Sequence, residues 1–310
     1  DVALRCNIVT VSTDDLPYEE KTIIDHSSSE ISTEDAAVLL EAVRKELETD
    51  IYKFYVGTSY RHLTIWDKGE VVELTPPHDV LGQVIGQYLP KTEALREMMK
   101  KSYEILANHP INVERMKKGL NPANSIWFWG AGTRPALAPF VEKTGHTGAM
   151  ISAVDLLKGI AVGADMKVVE VEGANGGLDT NYEGKADAAV EALLKDDLDF
   201  AYIHLEAPDE MGHQGSFERK VQAIENLDKR IIKRVTEQLE AAGTDFRMLV
   251  LPDHPTPVAI RTHVSDPVPY MLYDSTNKQS HTWNYNEKEA QESGNYIDKG
   301  YTIINHLFEK

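Results

Sequence analysis

The chain reads as an α/β protein, a mainly parallel sheet flanked by helices, joined to a smaller α+β domain. Two observations predict the sheet. The runs Phe200-Ala-Tyr-Ile-His-Leu205 and Phe246-Arg-Met-Leu-Val-Leu251 carry apolar residues on both faces, as strands buried between helix layers do. Between them Val221, Ile224, Leu227, Ile231, Val235 and Leu239 recur at helical spacing with charge elsewhere, which predicts one amphipathic helix. Strand, helix and strand at this length imply a right-handed crossover between parallel strands. A third observation, short alternating runs near the N terminus, predicts an antiparallel sheet in the smaller domain.

The elements follow in order. Val2-Ala-Leu-Arg-Cys-Asn-Ile-Val-Thr10 is a strand that begins immediately after Asp1, and this opening predicts a piece of a longer protein. A helix is expected over 33–47. Strands are expected over 52–56, 60–66 and 71–75, with Gly57 and Gly69 in their turns. A helix over 92–107 closes the smaller domain, placed at 1–118. The larger domain, 119–310, starts with the strand Ser125-Ile-Trp-Phe-Trp129, ended by Gly130 and Gly132. Further strands are expected over 149–153 and 167–171, with a helix over 154–162 between them. No internal repeat or low-complexity tract appears.

Composition narrows the function. The 310 residues carry a formal charge of −18 with no Lys/Arg-rich run, which excludes a nucleic-acid surface. An anionic substrate would then need metal ions and a few arginines to reverse the field locally. The single cysteine, Cys6, excludes an internal disulfide and suits a reducing compartment. No apolar run approaches the roughly 20 residues that span a bilayer, the best stretch, 149–164, being broken by Asp155 and Lys158. With no signal peptide visible, the expectation is a cytoplasmic protein without a membrane partner. The glycine-rich run 171–177 lacks a dinucleotide fingerprint and a P-loop lysine.

Chemistry concentrates where the two predicted central strands stop, the place where open α/β sheets bind ligands. After the first comes Ala207-Pro-Asp-Glu-Met-Gly-His-Gln-Gly215, and after the second Leu251-Pro-Asp-His-Pro-Thr-Pro257. Asp209 and His213 share one side of a helical turn, with Gly212 expected to let the backbone turn tightly. Alone, that pair is as readily a surface loop. Asp253-His254 is less ambiguous, since adjacent residues at a strand end point to opposite sides and can address two neighbouring ions. His263, alone an ordinary loop histidine, makes a three-ligand site possible with Asp209 and His213. Mixed nitrogen and oxygen ligands suit Zn²⁺ or Mn²⁺, and with carboxylates Mg²⁺. Asp253 and His254 are too few for a second ion, so a ligand is missing from the chain.

The stretches Glu206-Ala-Pro-Asp-Glu-Met-Gly-His-Gln-Gly215, Leu251-Pro-Asp-His-Pro-Thr-Pro257 and Thr262-His-Val-Ser-Asp-Pro-Val-Pro269 resemble the archaeal-type cofactor-independent phosphoglycerate mutases of the alkaline phosphatase superfamily. The likeness runs from Arg5-Cys-Asn-Ile-Val-Thr10 almost to the C terminus. It implies an alkaline phosphatase-like core with an inserted domain that covers the substrate. It also implies two divalent ions, one on Asp209, His213 and His263, the other on Asp253 and His254. In the family the second ion is completed by an aspartate and by the nucleophilic serine, both in a segment preceding the position of Asp1. The resemblance therefore implies phosphoryl transfer through a phosphoserine between 3- and 2-phosphoglycerate, inside a pocket closed to water.

Arginines are expected to clamp the small phosphorylated acid by bidentate contacts. Arg5 and Arg61 are candidates, the latter beside His62, and so is the pair His78-Asp79, for which a solvated turn is equally apt. Asn124 and Arg134 flank the tryptophan-rich strand and could reach the cleft or serve in turns. Lys185 could neutralise phosphate, although an exposed lysine at a helix start is the simpler account. Asn121-Pro-Ala-Asn-Ser-Ile-Trp-Phe-Trp-Gly130 looks more like a related branch proposed to be homoserine kinases, although no ATP-binding loop supports one. A metal-dependent phosphatase is a third reading. A non-enzymatic fragment that only binds metal or dimerises is the alternative of another class.

Overall fold

Five strands build the first unit: β1 (Val2–Val11), β2 (Ile23–Asp25), β3 (Tyr52–Tyr55), β4 (Arg61–Trp66) and β5 (Ser125–Thr133). They are seen in a computed structural model that describes residues 1–278 and 282–309. β1 is the spine. Every pairing in the sheet is antiparallel, with β4 and then β2 along one edge of β1 and β5 along the other, while β3 flanks β4. Leu4, Cys6 and Ile8 alternate into the core, where Trp127 and Phe128 of β5 meet them. Three helices cover the sheet: α1 (Thr33–Leu47), α2 (Glu93–Leu106) and α3 (Pro110–Lys117). The Ser32 hydroxyl caps α1 by accepting from the Asp35 amide at 3.2 Å.

Two expectations need correction. β5 belongs to this unit rather than to the larger domain, because its apolar face completes the core against β1. The compact units are accordingly Asp1–Pro135 and the remainder from Ala136 onward. The stretch 71–75 is irregular, not a strand. Its Thr75 carbonyl instead accepts the Trp127 indole N–H at 2.8 Å.

A turn after β2 carries three consecutive left-handed residues, Ser28, Ser29 and Glu30, with φ of 51°, 55° and 48°. Each costs about 1–2 kcal/mol in an L-residue. Polar contacts hold the turn. Asp25 accepts from the amides of Ser27 at 2.9 Å and Ser29 at 2.6 Å and from the Asn121 side chain at 2.9 Å. The buried Arg115 guanidinium donates to the Ser28 carbonyl.

The second unit contains a three-stranded parallel sheet in the order β7-β6-β8, formed by β6 (Gly148–Ile151), β7 (Lys167–Val169) and β8 (Phe200–Ile203). After the short α4 (Phe140–Thr144), helices α5 (Asp155–Gly163) and α6 (Tyr182–Leu194) make the two crossovers. β8 leads into α7 (Ala207–His213). The expected amphipathic helix follows as α8 (Phe217–Asn226), a π-helical segment Leu227–Ile232 and α9 (Lys233–Ala241). Arg230 and Arg234, in and just after the π segment, make two-pronged contacts with Glu183 and Asp187 of α6, at 2.6–2.9 Å. Ala186, Val190, Ile231, Val235 and Leu239 form the apolar layer of the same unit.

That helix does not deliver the chain to the parallel sheet. β9 (Arg247–Val250) pairs antiparallel with β10 (Met271–Asp274) instead. Nor are the two apolar runs enclosed on both faces, since Tyr202 is 37% exposed and Leu251, the residue after β9, 40%. An apolar run is the same string of residues whether both of its faces are covered or one. Among the described residues no helix is long and apolar enough to cross a membrane.

Candidate metal centre

α7 and the loop after β9 are brought together by two glycines. A Cβ on Gly212 would stand 2.4 Å from the Thr256 carbonyl oxygen, and one on Gly215 would stand 2.2 Å from Arg261 Nε. Gly212 therefore does not serve the tight turn expected of it. It lies inside the helix and permits close approach of the loop, whereas Gly215, at φ +68°, makes the turn that ends α7.

The approach gathers the candidate ligands. Asp209 Oδ2 lies 3.3 Å from His213 Nε2, and Asp209 Oδ1 lies 3.3 Å from His263 Nε2. The two Nε2 atoms are 3.0 Å apart. Vertices of a tetrahedron with Zn–N bonds of about 2.05 Å are about 3.3 Å apart, so the trio has the spacing of ligands around one small cation. Of the described residues, these three form the group able to hold a metal ion, with ligand atoms all within 4.8 Å of one another. His213 Nδ1 lies 3.0 Å from the Arg261 carbonyl, which fixes the N–H on that nitrogen and leaves Nε2 as an electron-pair donor.

His254 and Asp253 adjoin the trio. The His254 ring lies against His263 with centroids 3.7 Å apart, and its Nδ1 is 4.0 Å from Asp209 Oδ1. Asp253 Oδ2 is 3.5 Å from His254 Nε2, and its carboxylate is largely exposed. Thr256 was not singled out from the sequence. It is 3% exposed, donates its hydroxyl to Asp209, and stands 3.3 Å from His254 Nδ1. Its carbonyl accepts from Lys220 Nζ at 2.6 Å. Only its place between Pro255 and Pro257 marked it in the sequence.

The other candidates separate by burial. Lys185 is fully buried, not the exposed helix-start lysine of the simpler account. In the first unit, Arg61 is exposed but His62, next along β4, faces the core at 5% exposure. His62 Nδ1 accepts the Gly57 amide at 3.1 Å, and burial depresses its pKa to about 4, so the ring is neutral at pH 7. Asn124 is buried and bonds both the amide and the carbonyl of Val11, at 2.8 and 2.9 Å, which commits it to structure.

Arg5, His78 and Arg61 fall instead along one aromatic row. Arg5 lies over the Trp129 ring at 4.5 Å, and His78 meets that ring edge-on at 5.3 Å. His26, absent from the sequence candidates, bridges His78 at 6.2 Å and Tyr60 at 5.7 Å, and Arg61 covers Tyr60 at 4.3 Å. Gly130, at φ +59°, sits in a bulge of β5 opposite Leu4, where a Cβ would press on Arg5 Cδ at 3.2 Å. Asp79 is exposed, 3.7 Å from His78 Nε2, and Arg134 is exposed beyond β5.

An α/β unit that closes a carboxylate and two imidazoles around one point is the architecture of a metalloenzyme, and the Metalloenzyme superfamily model matches residues 57–309. The model of 2,3-bisphosphoglycerate-independent phosphoglycerate mutase matches residues 1–112. A mutase of that name from Methanosarcina barkeri is 46% identical over 299 residues, 95% of this chain and 73% of the relative. One described as probable, from Geobacter sulfurreducens, is 42% identical over the whole chain and 77% of its own length. The chain belongs to the 2,3-bisphosphoglycerate-independent phosphoglycerate mutase family. A solved structure of a Pyrococcus horikoshii protein superimposes with a TM-score of 0.73 at 27% identity, covering 94% of this chain and 68% of the other. The cofactor-independent phosphoglycerate mutase of Thermoplasma acidophilum shares the fold, with a TM-score of 0.60 at 23% identity over 99% of this chain and 76% of that one.

Proposed function

We propose that this chain serves the interconversion of 3- and 2-phosphoglycerate without bisphosphoglycerate, a reading supported by relatives named 2,3-bisphosphoglycerate-independent phosphoglycerate mutase. The observation that carries the reading is the convergence of Asp209, His213 and His263. In it, those three hold one divalent ion (Mn²⁺, Zn²⁺ or Mg²⁺), and Asp253 and His254 contribute to a second. Such ions, when bound, neutralise charge on a phosphoryl group and lower the pKa of a coordinated hydroxyl. The chain's own groups prepare the site. The Arg261 carbonyl holds His213 in the tautomer that donates from Nε2, and the Thr256 hydroxyl fixes the Asp209 carboxylate. Arg5, Arg61 and His78 are candidates to contact an anionic group of the acid, with the exposed Asp79 next to His78 and the exposed Arg134 a further candidate, and the flat faces of Trp129 and Tyr60 hold the guanidinium groups in place. His62 and Asn124 have structural roles. The phosphoryl-accepting serine that the resemblance implies is not assigned to any residue of this chain. The lone buried Cys6 supports a cytoplasmic setting.

The test is a ³¹P NMR assay of 3-phosphoglycerate with Mn²⁺, using the protein that carries this chain and its His213→Ala variant. Appearance of 2-phosphoglycerate that is lost in the variant, together with one metal equivalent, is the expected result. Net release of phosphate, or ATP-dependent phosphorylation of homoserine in place of isomerisation, would replace this reading with a phosphatase or a kinase.

A further inference from the structure

Beside the candidate metal centre, and built from other residues, lies a buried charged cluster. The ammonium group of Lys185, on α6, is fully enclosed. It donates to the His204 carbonyl at 3.1 Å and approaches the Asn175 carbonyl at 3.5 Å. A carboxylate oxygen of Glu206 is its third neighbour, at 3.8 Å. Glu206 is the residue just before α7, the helix that carries Asp209 and His213, yet its carboxylate does not cap that helix. Both of its oxygens are sealed from solvent and lack a hydrogen-bond partner among the described residues. Each faces a donor slightly beyond bonding distance, Lys185 Nζ for Oε2 and, at 4.0 Å, His204 Nε2 for Oε1.

A buried carboxylate with no filled acceptor site is unstable unless a cation faces it. Two carbonyls and a carboxylate around an ammonium form a cage of the sort that holds a small monovalent cation, with the cation here tethered to α6. The cage draws on four segments: α6 gives Lys185, the loop before α6 gives the Asn175 carbonyl, the residue after β8 gives the His204 carbonyl, and the residue before α7 gives Glu206.

We propose that Lys185 and Glu206 are positioning residues for the divalent-cation site, a tethered cation and its buried counter-charge that fix the start of α7. Through α7 they set the orientation of Asp209 and His213. The proposal rests on the metal-site reading above and gives Lys185 a role other than contact with the substrate's phosphate. Removing either charge leaves the other buried and unbalanced, which displaces α7. Replacing both by neutral groups of like size restores the balance.

The experiment is a double-mutant cycle on the full chain: wild type, Lys185→Met, Glu206→Gln and the double variant, with His213→Ala as a control. Mn²⁺ affinity is measured by the electron paramagnetic resonance signal of the free ion. Each single variant is expected to bind about 10-fold more weakly, the low end of the effect of losing a group bonded directly to a metal ligand, since these two act through α7. The double variant should recover at least half of that loss on a logarithmic scale. Lys185→Ala, which empties the cage, should regain affinity with n-propylammonium chloride but not with tetramethylammonium chloride at equal ionic strength. Single variants that bind as wild type does, or losses that simply add with no rescue by the primary amine, overturn the proposal. If wild type and His213→Ala both fail to bind Mn²⁺, it is the metal-site reading that falls. Amide exchange over 207–213 in metal-free protein then decides the positioning role, with faster exchange in Glu206→Gln that reverses in the double variant supporting it and unchanged exchange refuting it.

Discussion

At the scale of single residues, what surrounds a side chain decides its role more than its type does. Arg61 and His62 are neighbours in the chain, but β-strand alternation sends one to solvent and the other to the core. Residue type alone makes both of them candidates for substrate contact, and period-two alternation along β4 is the signal that separates them. The fate of His62 has a measurable consequence. Its pKa falls from 6.5 to about 4 on folding, because burial penalises the imidazolium. The unfolded chain thus binds the extra proton first, so stability is full above pH 6.5 and declines as pH falls toward 4. The loss reaches at most about 3 kcal/mol. His62→Gln should flatten the curve of denaturant midpoint against pH between those limits, and an unchanged slope would contradict it. Asp25 acts lower on the scale. Burial raises its pKa, but the Asn121 side chain and the amides of Ser27 and Ser29 outweigh this and bring it to about 2. Its share of stability is present above pH 4 and disappears as pH falls toward 2. Asp25→Ala should cost about 1.5–3 kcal/mol at pH 7, as expected for hydrogen bonds to a charged group, and much less at pH 2.

Elements were legible where periodicity was long and unambiguous. The helices over 33–47 and 92–107, and the amphipathic helix ahead of β9, stand where apolar spacing puts them. Partners were less legible, because strand patterns record which faces are apolar and not which edges pair. Hence apolar pattern alone puts β5 at the head of the larger domain, although it completes the sheet around β1, and joins β9 to β8, although β9 pairs with β10. The metal-type motifs were visible as residue types at strand ends, but not the means by which α7 meets the loop after β9. That means is backbone proximity, which leaves no trace beyond a glycine. Gly212→Ala therefore tests the element pair. Its new methyl group would overlap the Thr256 carbonyl, so α7 and the loop must part. We expect a loss of about 1–3 kcal/mol in stability, as for other overpacked sites, with Mn²⁺ affinity weakened at the same time. A calorimetric scan and a metal titration check both, and an alanine variant that keeps wild-type affinity would refute the close-approach account. Gly130→Ala should cost about 1–2 kcal/mol for its left-handed backbone while leaving Mn²⁺ binding unchanged, since its bulge lies in the other unit.

At the scale of the whole molecule, each unit has its own apolar core, and the candidate cation ligands all belong to the second. A ligand stabilises what it binds by mass action. Mn²⁺ should therefore slow amide exchange in α7 and the loop after β9 while leaving β1 and β4 unchanged, and a chelator should reverse the effect. Equal protection in both units would be inconsistent with a site made only of second-unit residues. The formal charge of −18, read from sequence as excluding nucleic acid, fits a centre that needs cations before it can take an anion. Where one unit ends and the next begins, residues 134–139 have no regular structure, and Arg134 through Ala138 are exposed. That joint has a bearing on handling the protein in the laboratory. Its only basic residue precedes Pro135, a bond that trypsin does not cut, whereas Leu137 offers chymotrypsin an open target. Brief chymotryptic digestion should yield a fragment whose N-terminal sequence starts at Ala138, under conditions where trypsin leaves this junction whole.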